Sequence, residues 1–263
     1  MIDVLLVIIS LLVLLLIFLR RWYLVDKATL FGKMVLKRGL WFPGRLSKRD
    51  LEVTAKEMIP DPSTVDPKLR VKGENHFKKA ELELKKGHIG DAEKLYIKAI
   101  AMDPSHVQAY AKLGVIYLNQ EQYGKAELIY RKLVVAVNDD PVYFSNLGLT
   151  LFHQEKYSEA KEFYEKAIQL DAGRAGRFYS LARINYLLDE VEQAFINIEK
   201  ALNLDPDNLD YGLTMAHWQI EKDMHQEARQ VLETILQHWP ENQEAKKMLL
   251  ELEAGKRVEG ESA

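Results

Sequence analysis

The stretch that decides the fold runs from residue 107 to residue 140 and reads VQAYAKLGVIYLNQEQYGKAELIYRKLVVAVNDD. Its pattern recurs through the C-terminal two thirds of the chain. Ala92, Ala126, Ala160, Ala194 and Ala228 are spaced by 34 residues every time. Twelve residues before each stand Ala80, Gly114, Gly148, Ala182 and Ala216. Four residues after each come Tyr96, Tyr130, Tyr164, Ile198 and Leu232, and three further on Ala99, Leu133, Ala167, Ala201 and Ile235. Pro104, Pro206 and Pro240 share one more position, where the second and third units carry Asn138 and Ala172.

A physical reading follows from side-chain size and spacing. Small residues twelve apart allow two antiparallel helices to cross closely, and apolar residues at i+4 and i+7 from the central Ala make one face. Proline closes the second helix because it cannot continue one. One helix pair cannot bury its apolar face alone, so successive pairs stack into a solenoid.

Tyr110, Leu113-Gly114, Tyr117, Ala126 and Tyr130 resemble the tetratricopeptide repeat (TPR) family, and so do Phe144, Leu147-Gly148, Ala160, Tyr164 and Ala167. The resemblance implies an all-α fold: a right-handed superhelix, or α-solenoid, of about five helix pairs. The register places them at 73–106, 107–140, 141–174, 175–208 and 209–242, with a capping helix at 243–254 and a flexible tail at 255–263. The first unit departs from the pattern with Lys79 and Glu83 where Leu and Tyr are expected, and the fifth has Gly212 for its first aromatic residue.

In this family the first helices line a concave face that takes protein or peptide partners. The resemblance carries Lys112, Asn119, Ser145, Asn146, His153, Tyr179, Arg183 and His217 onto that face. The Asn146 amide has both donor and acceptor groups for a peptide backbone, and Arg183 suits a partner's carboxylate. Phe77 and Glu81 stand where some members hold a chaperone's C-terminal carboxylate with Lys and Asn, so that clamp is not expected. The Tyr and Ala stripes read as core.

The N-terminus has another character. Ile2 to Leu19 reads IDVLLVIISLLVLLLIFL, interrupted only by Asp3 and Ser10. A helix of that length spans roughly 27 Å, about a bilayer's hydrocarbon core. Residues 1–21 are expected to be a single transmembrane helix. A cleaved signal peptide would need a basic n-region and a small-residue cleavage site, and neither is present. A buried core helix usually keeps a polar face.

From Arg20 to Arg49 nine Lys or Arg are opposed by Asp26 alone, although the whole chain carries −3. Cations concentrate on the cytoplasmic side of a span, so the repeats are expected in the cytoplasm, with a bacterial inner membrane the simplest setting. Residues 22–72 form a basic juxtamembrane segment and linker. Within it Leu24, Ala28, Phe31 and Val35 share one side of a helical wheel. This suits a helix in the headgroup region, with Arg20, Arg21, Trp22, Tyr23, Phe31 and Trp41 at the membrane interface. A helix packed on the repeats, or a plain linker, fits the same residues. Ser47 and Asp50 resemble the start of a short helix through Met58, and Pro60, Pro62 and Pro67 punctuate a linker.

Several chemistries find no support. The chain has no Cys, which excludes disulfides, thiolate metal sites and a Cys nucleophile. Its seven His form no His-Glu-x-x-His pair. Gly39 to Gly44 has phosphate-loop spacing, but Arg45 and Leu46 replace the Lys and hydroxyl that such a loop needs. No cofactor, metal, nucleic acid or small-molecule substrate is expected. About 20 residues follow the last repeat, too few for a catalytic domain. The expected function is a membrane-anchored scaffold or adaptor, not an enzyme. The alternative is a structural or assembly subunit of a membrane complex, held through the span and the outer face.

Overall fold

The computed structural model describes residues 59–260. The expected span, the basic collar and the interface residues Arg20, Arg21, Trp22, Tyr23, Phe31 and Trp41 lie outside the described residues. Within them no helix is long and apolar enough to cross a membrane. The described residues hold eleven α-helices and no strand. The helices are α1 Pro67–Lys85, α2 Ile89–Met102, α3 Val107–Asn119, α4 Tyr123–Ala136, α5 Pro141–Phe152, α6 Tyr157–Leu170, α7 Ala175–Leu187, α8 Val191–Leu204, α9 Leu209–Glu221, α10 His225–His238 and α11 Gln243–Gly260. Each packs on its chain neighbours; α5 also touches α7, and α9 also touches α11.

Local chemistry sets the helix starts. Pro67 is the first residue of α1, and the Asp66 side chain accepts the Lys68 N–H at 2.8 Å. Pro141 opens α5 in the same way, with Asp140 accepting from Val142 N at 2.8 Å. Proline fits there because its missing N–H is one the first turn leaves unpaired anyway. Pro67 is therefore a helix start and not linker punctuation, and α1 begins six residues ahead of the repeat boundary at 73. At the other end the α11 backbone continues to Gly260, past the expected end of the cap at 254.

The turn within each pair is the same five times. Gly87, Glu121, Glu155, Asp189 and Asp223, again 34 apart, all have φ between 57° and 83°. The following N–H bonds back five residues, as in His88 to Glu83, Gln122 to Tyr117, Lys156 to Leu151, Glu190 to Asn185 and Met224 to Gln219. This left-handed cap satisfies the last carbonyls of the first helix. Only the first turn uses the residue type that adopts it without a Cβ penalty.

The small-residue stripe is the crossing point. Ala80, Ala92, Ala126, Ala160, Ala182, Ala194, Ala216 and Ala228 are all fully buried. A Cβ on Gly114 would lie 2.9 Å from Tyr130 Cζ, and one on Gly148 would lie 2.7 Å from Tyr164 Cδ2. The fourth and fifth pairs carry Ala182 and Ala216 instead, with the narrower Ile198 and Leu232 at the tyrosine position. One continuous core runs from α1 into α7, and smaller clusters continue to α11. Lys79 is exposed and Glu83 bonds Lys86 and His88, so α1 packs through Gly73, Phe77, Ala80 and Leu84.

In the third unit, which lacks its closing proline, another group holds the turn. At Ala172 the buried Arg177 donates from Nη1 to the Asp171 carbonyl at 2.6 Å and to Asp171 Oδ2 at 2.7 Å. Its Nε donates to Ser145 Oγ at 2.9 Å, tying this turn to α5.

Candidate functional site

Three of the residues expected on the inner face meet in one cavity. Lys112 and Asn119 of α3 and Asn146 of α5 line a space of about 380 Å³. Its walls are apolar: Leu84, Ile89, Val115, Ile116 and Val142, with Tyr143 and Tyr130. Ile89, Val115 and Val142 are 46%, 42% and 50% exposed, so three β-branched apolar side chains face solvent together in one hollow.

The polar groups are held in place. Asn146 Nδ2 donates to the Tyr130 hydroxyl at 3.1 Å. Burial pushes the Tyr130 hydroxyl well above the ordinary tyrosine value, so it stays protonated. Lys112 Nζ lies 3.4 Å from Glu81 Oε2, and Glu81 also accepts the Tyr96 hydroxyl. Burial, and then Glu81, push the Tyr96 hydroxyl up as well. The Asn119 side-chain amide and Asn146 Oδ1 make no hydrogen bond among the described residues, while the Asn146 backbone carbonyl accepts from Thr150 Oγ1 at 2.6 Å. The hollow thus offers an apolar floor with two carboxamides at its rim, which suits an extended segment that places one apolar side chain inward.

Four more of the expected residues lie further along. The Arg183 guanidinium sits over the Phe152 ring at 4.8 Å and the Tyr179 ring at 5.8 Å, with no carboxylate partner among the described residues. His153 meets Phe152 edge-on and stacks on Tyr123 at 4.7 Å. The Tyr179 hydroxyl and Thr214 Oγ1 are 3.0 Å apart. His217 stands apart from these, exposed beside Glu221 at 3.2 Å. Glu221 also accepts the Tyr186 hydroxyl, which burial and then this carboxylate push up to about 12. Ser145 has its hydroxyl committed within the fold, donating to the Pro141 carbonyl at 2.8 Å and accepting from Arg177.

Sequence reasoning missed the apolar wall and two members of a polar ladder. Lys112, Asn146, Ser180 and Thr214 share one repeat position 34 residues apart. The second helix of the preceding pair carries a tyrosine before three of them, Tyr96, Tyr130 and Tyr164. The signal for Ser180 and Thr214 was the register itself. Val115 and Val142 had a signal too, since apolar residues at positions that face away from the pair's own core ask for another cover. Among the described residues no cluster of His, Asp or Glu has the arrangement of a metal site.

Three family models, each described as tetratricopeptide repeat, match residues 77–141, 141–173 and 175–208. Among solved structures the chain is similar to YrrB, described as a TPR protein with an unusual peptide-binding site. The two share 20% identity over 65% of this chain and 89% of that one, with a TM-score of 0.58. It is similar to the MamA protein at 21% identity over 63% and 90%, with a TM-score of 0.60. PilF of Pseudomonas aeruginosa matches at 22% identity over 70% and 92%, with a TM-score of 0.55. At these identities the likeness is one of fold. No curated protein matches the chain in sequence. The 34-residue register, the paired helices and the three models agree, and the chain belongs to the tetratricopeptide repeat family.

Proposed function

We propose that this protein is a membrane-anchored scaffold that recruits a partner through the face lined by its first helices. TPR domains bind proteins or peptides, and this chain carries five such helix pairs followed by α11. The observation that carries the reading is the hollow at Val115 and Val142, where Asn119 and Asn146 stand over an apolar floor. A peptide backbone takes hydrogen bonds from such amides while one apolar side chain fills the floor. Arg183, spread over Phe152 and Tyr179, supplies a positive charge further along the same path for a carboxylate of the partner. The apolar stretch from Ile2 to Leu19 supports a single-pass anchor, and the nine cations after it support repeats on the cytoplasmic side. The role is recruitment and not catalysis.

Co-purification of the full chain in mild detergent tests the reading. Val115→Trp fills the hollow from an exposed position without stranding a polar group, unlike a change at Asn146, which would leave the Tyr130 hydroxyl unpaired. Partners that bind the parent chain should be lost from Val115→Trp with its helicity intact. Partners retained in full by Val115→Trp and by Asn119→Ala would assign the contact to the outer face or the N-terminal segment instead.

A further inference from the structure

Each of the three middle pairs covers the start of its first helix with a ring and a shield. In the second pair the Tyr110 ring lies under Lys132 Nζ at 5.6 Å. In the third, Phe144 packs on Phe163 at 6.3 Å between centroids. In the fourth, the Phe178 ring lies under Lys200 Nζ at 5.7 Å. Moving 34 residues on from Phe178 and Lys200 gives Gly212 and Thr234. The fifth pair has lost the ring and its lysine together.

A cavity of about 440 Å³ stands at that place. Leu202, Leu209, Val231, Ile235 and Trp239 give it an apolar lining, and Gly212 and Thr234 are part of its wall. The space is not simply collapsed. Ile235, where the third and fourth pairs have Ala167 and Ala201, takes up part of the room, since its Cδ1 is 3.1 Å from where a Cβ on Gly212 would lie. The remainder opens outward, with Asn203, Asn208 and His238 along its edge. Apolar lining with a polar edge is the composition of a binding pocket and not of a packing defect.

We propose that this slot binds an aromatic side chain of a partner protein, replacing from outside the ring that Tyr110, Phe144 and Phe178 supply from within. The register names the guest, because the neighbouring pairs show what fills the equivalent position. Trp239 and His238 add ring faces and edges to the wall, and aromatic pairs gain stability beyond the area they bury. Because this slot is remote in repeat position from the hollow at Val115, it stands or falls independently of the inner-face reading.

The test uses the full chain in nanodiscs with its isoleucine methyls labelled, and N-acetyl-tryptophanamide as the probe. The Ile235 methyl, buried at the slot, should shift saturably, and N-acetyl-leucinamide should act roughly tenfold more weakly, a gap of about 1.4 kcal/mol. Gly212→Phe should abolish the shift by restoring the missing ring. Thr234→Trp, which fills the slot from an exposed position of α10, should do the same if Gly212→Phe does not fold. Equal response to the two amides, no response to either, or a response that survives Thr234→Trp would overturn the proposal. So would an Ile235 methyl already at its saturated position in the free protein, because a ring of the chain itself would then be the occupant.

Discussion

Adding one methyl group at Gly148 tests how the helix pairs are held. The new Cβ would lie 2.7 Å from Cδ2, 2.9 Å from Cε2 and 3.2 Å from Cγ of the Tyr164 ring. A ring cannot yield as the tip of a flexible side chain does, and Tyr164 is only 4% exposed. Forcing a methyl into such a space costs about 1 to 3 kcal/mol. Alanine returns up to about 1 kcal/mol of helix propensity over glycine. Taking the middle of that strain range, about 2 kcal/mol, less the propensity gained, Gly148→Ala should destabilise by about 1 kcal/mol. The fifth pair shows the compensating arrangement, with Ala216 at the equivalent of Gly148 and Leu232 at the equivalent of Tyr164. Tyr164→Leu alone removes buried ring volume and should cost about 2 kcal/mol or more. Together the two changes should cost less than their sum, with a coupling of about 1 kcal/mol. Urea midpoints of the full chain in detergent, compared across the four proteins, measure this. A neutral or stabilised Gly148→Ala, or strict additivity, would refute the close-crossing argument. Ala80 beside Tyr96 in the first pair shows that methyl and ring coexist where the helices are set for both; the third pair is set for glycine.

Arg177→Met should destabilise by about 3 kcal/mol, because three hydrogen bonds from a guanidinium with 8% side-chain exposure disappear while volume is kept; an unchanged urea midpoint would show that the turn at Ala172 holds without it. Glu155→Gly should stabilise by about 0.5 kcal/mol and Glu155→Val destabilise by about 1 kcal/mol, since its φ of 60° penalises a Cβ and penalises a branched one more; thermal melts with the reverse order would remove the left-handed cap from the account. The Glu127 carboxyl is raised by burial, but Lys156, Arg131 and Gln154 overcome this and hold it below the ordinary value. Its contribution is therefore present above the unfolded value near 4.3 and lost as pH falls through the lower folded value. Glu127→Gln should flatten the loss of stability below about pH 4.3, whereas an unchanged acid profile would mean that this carboxylate does not link the second and third pairs.

The sequence made the solenoid legible because its period is carried by residues that sterics constrain most. The Ala and Gly stripe tolerates almost no substitution at a helix crossing, so the register shows through four intervals without a break. The start of α1 was harder. Asp66-Pro67 reads equally as a turn or as a capped helix start, because Asp140-Pro141 opens a helix while Asp103-Pro104 and Asp205-Pro206 follow the end of one. Of the residues that the register assigns to the inner face, three share one lining. Lys112, Asn119 and Asn146 do meet in one hollow, but Ser145 is taken up by Pro141, four residues back, and by Arg177, a contact that crosses 32 residues of sequence and leaves no local trace. The apolar members Val115 and Val142 were hidden by the habit of reading apolar residues as core. Gly212 was visible as a departure, but its meaning required the matching loss of lysine at Thr234.

The most direct test of the scaffold reading places a photo-crosslinking residue at position 115, inside the hollow, and separately at position 128, where Leu128 is 59% exposed on α4. Each full-length protein is irradiated in its native membranes, and adducts are recovered from the membrane fraction. The account predicts a partner adduct from position 115, suppressed by Asn119→Ala, and none from position 128. An adduct from position 128 alone, with position 115 silent, would contradict it and move the contact to the second helices.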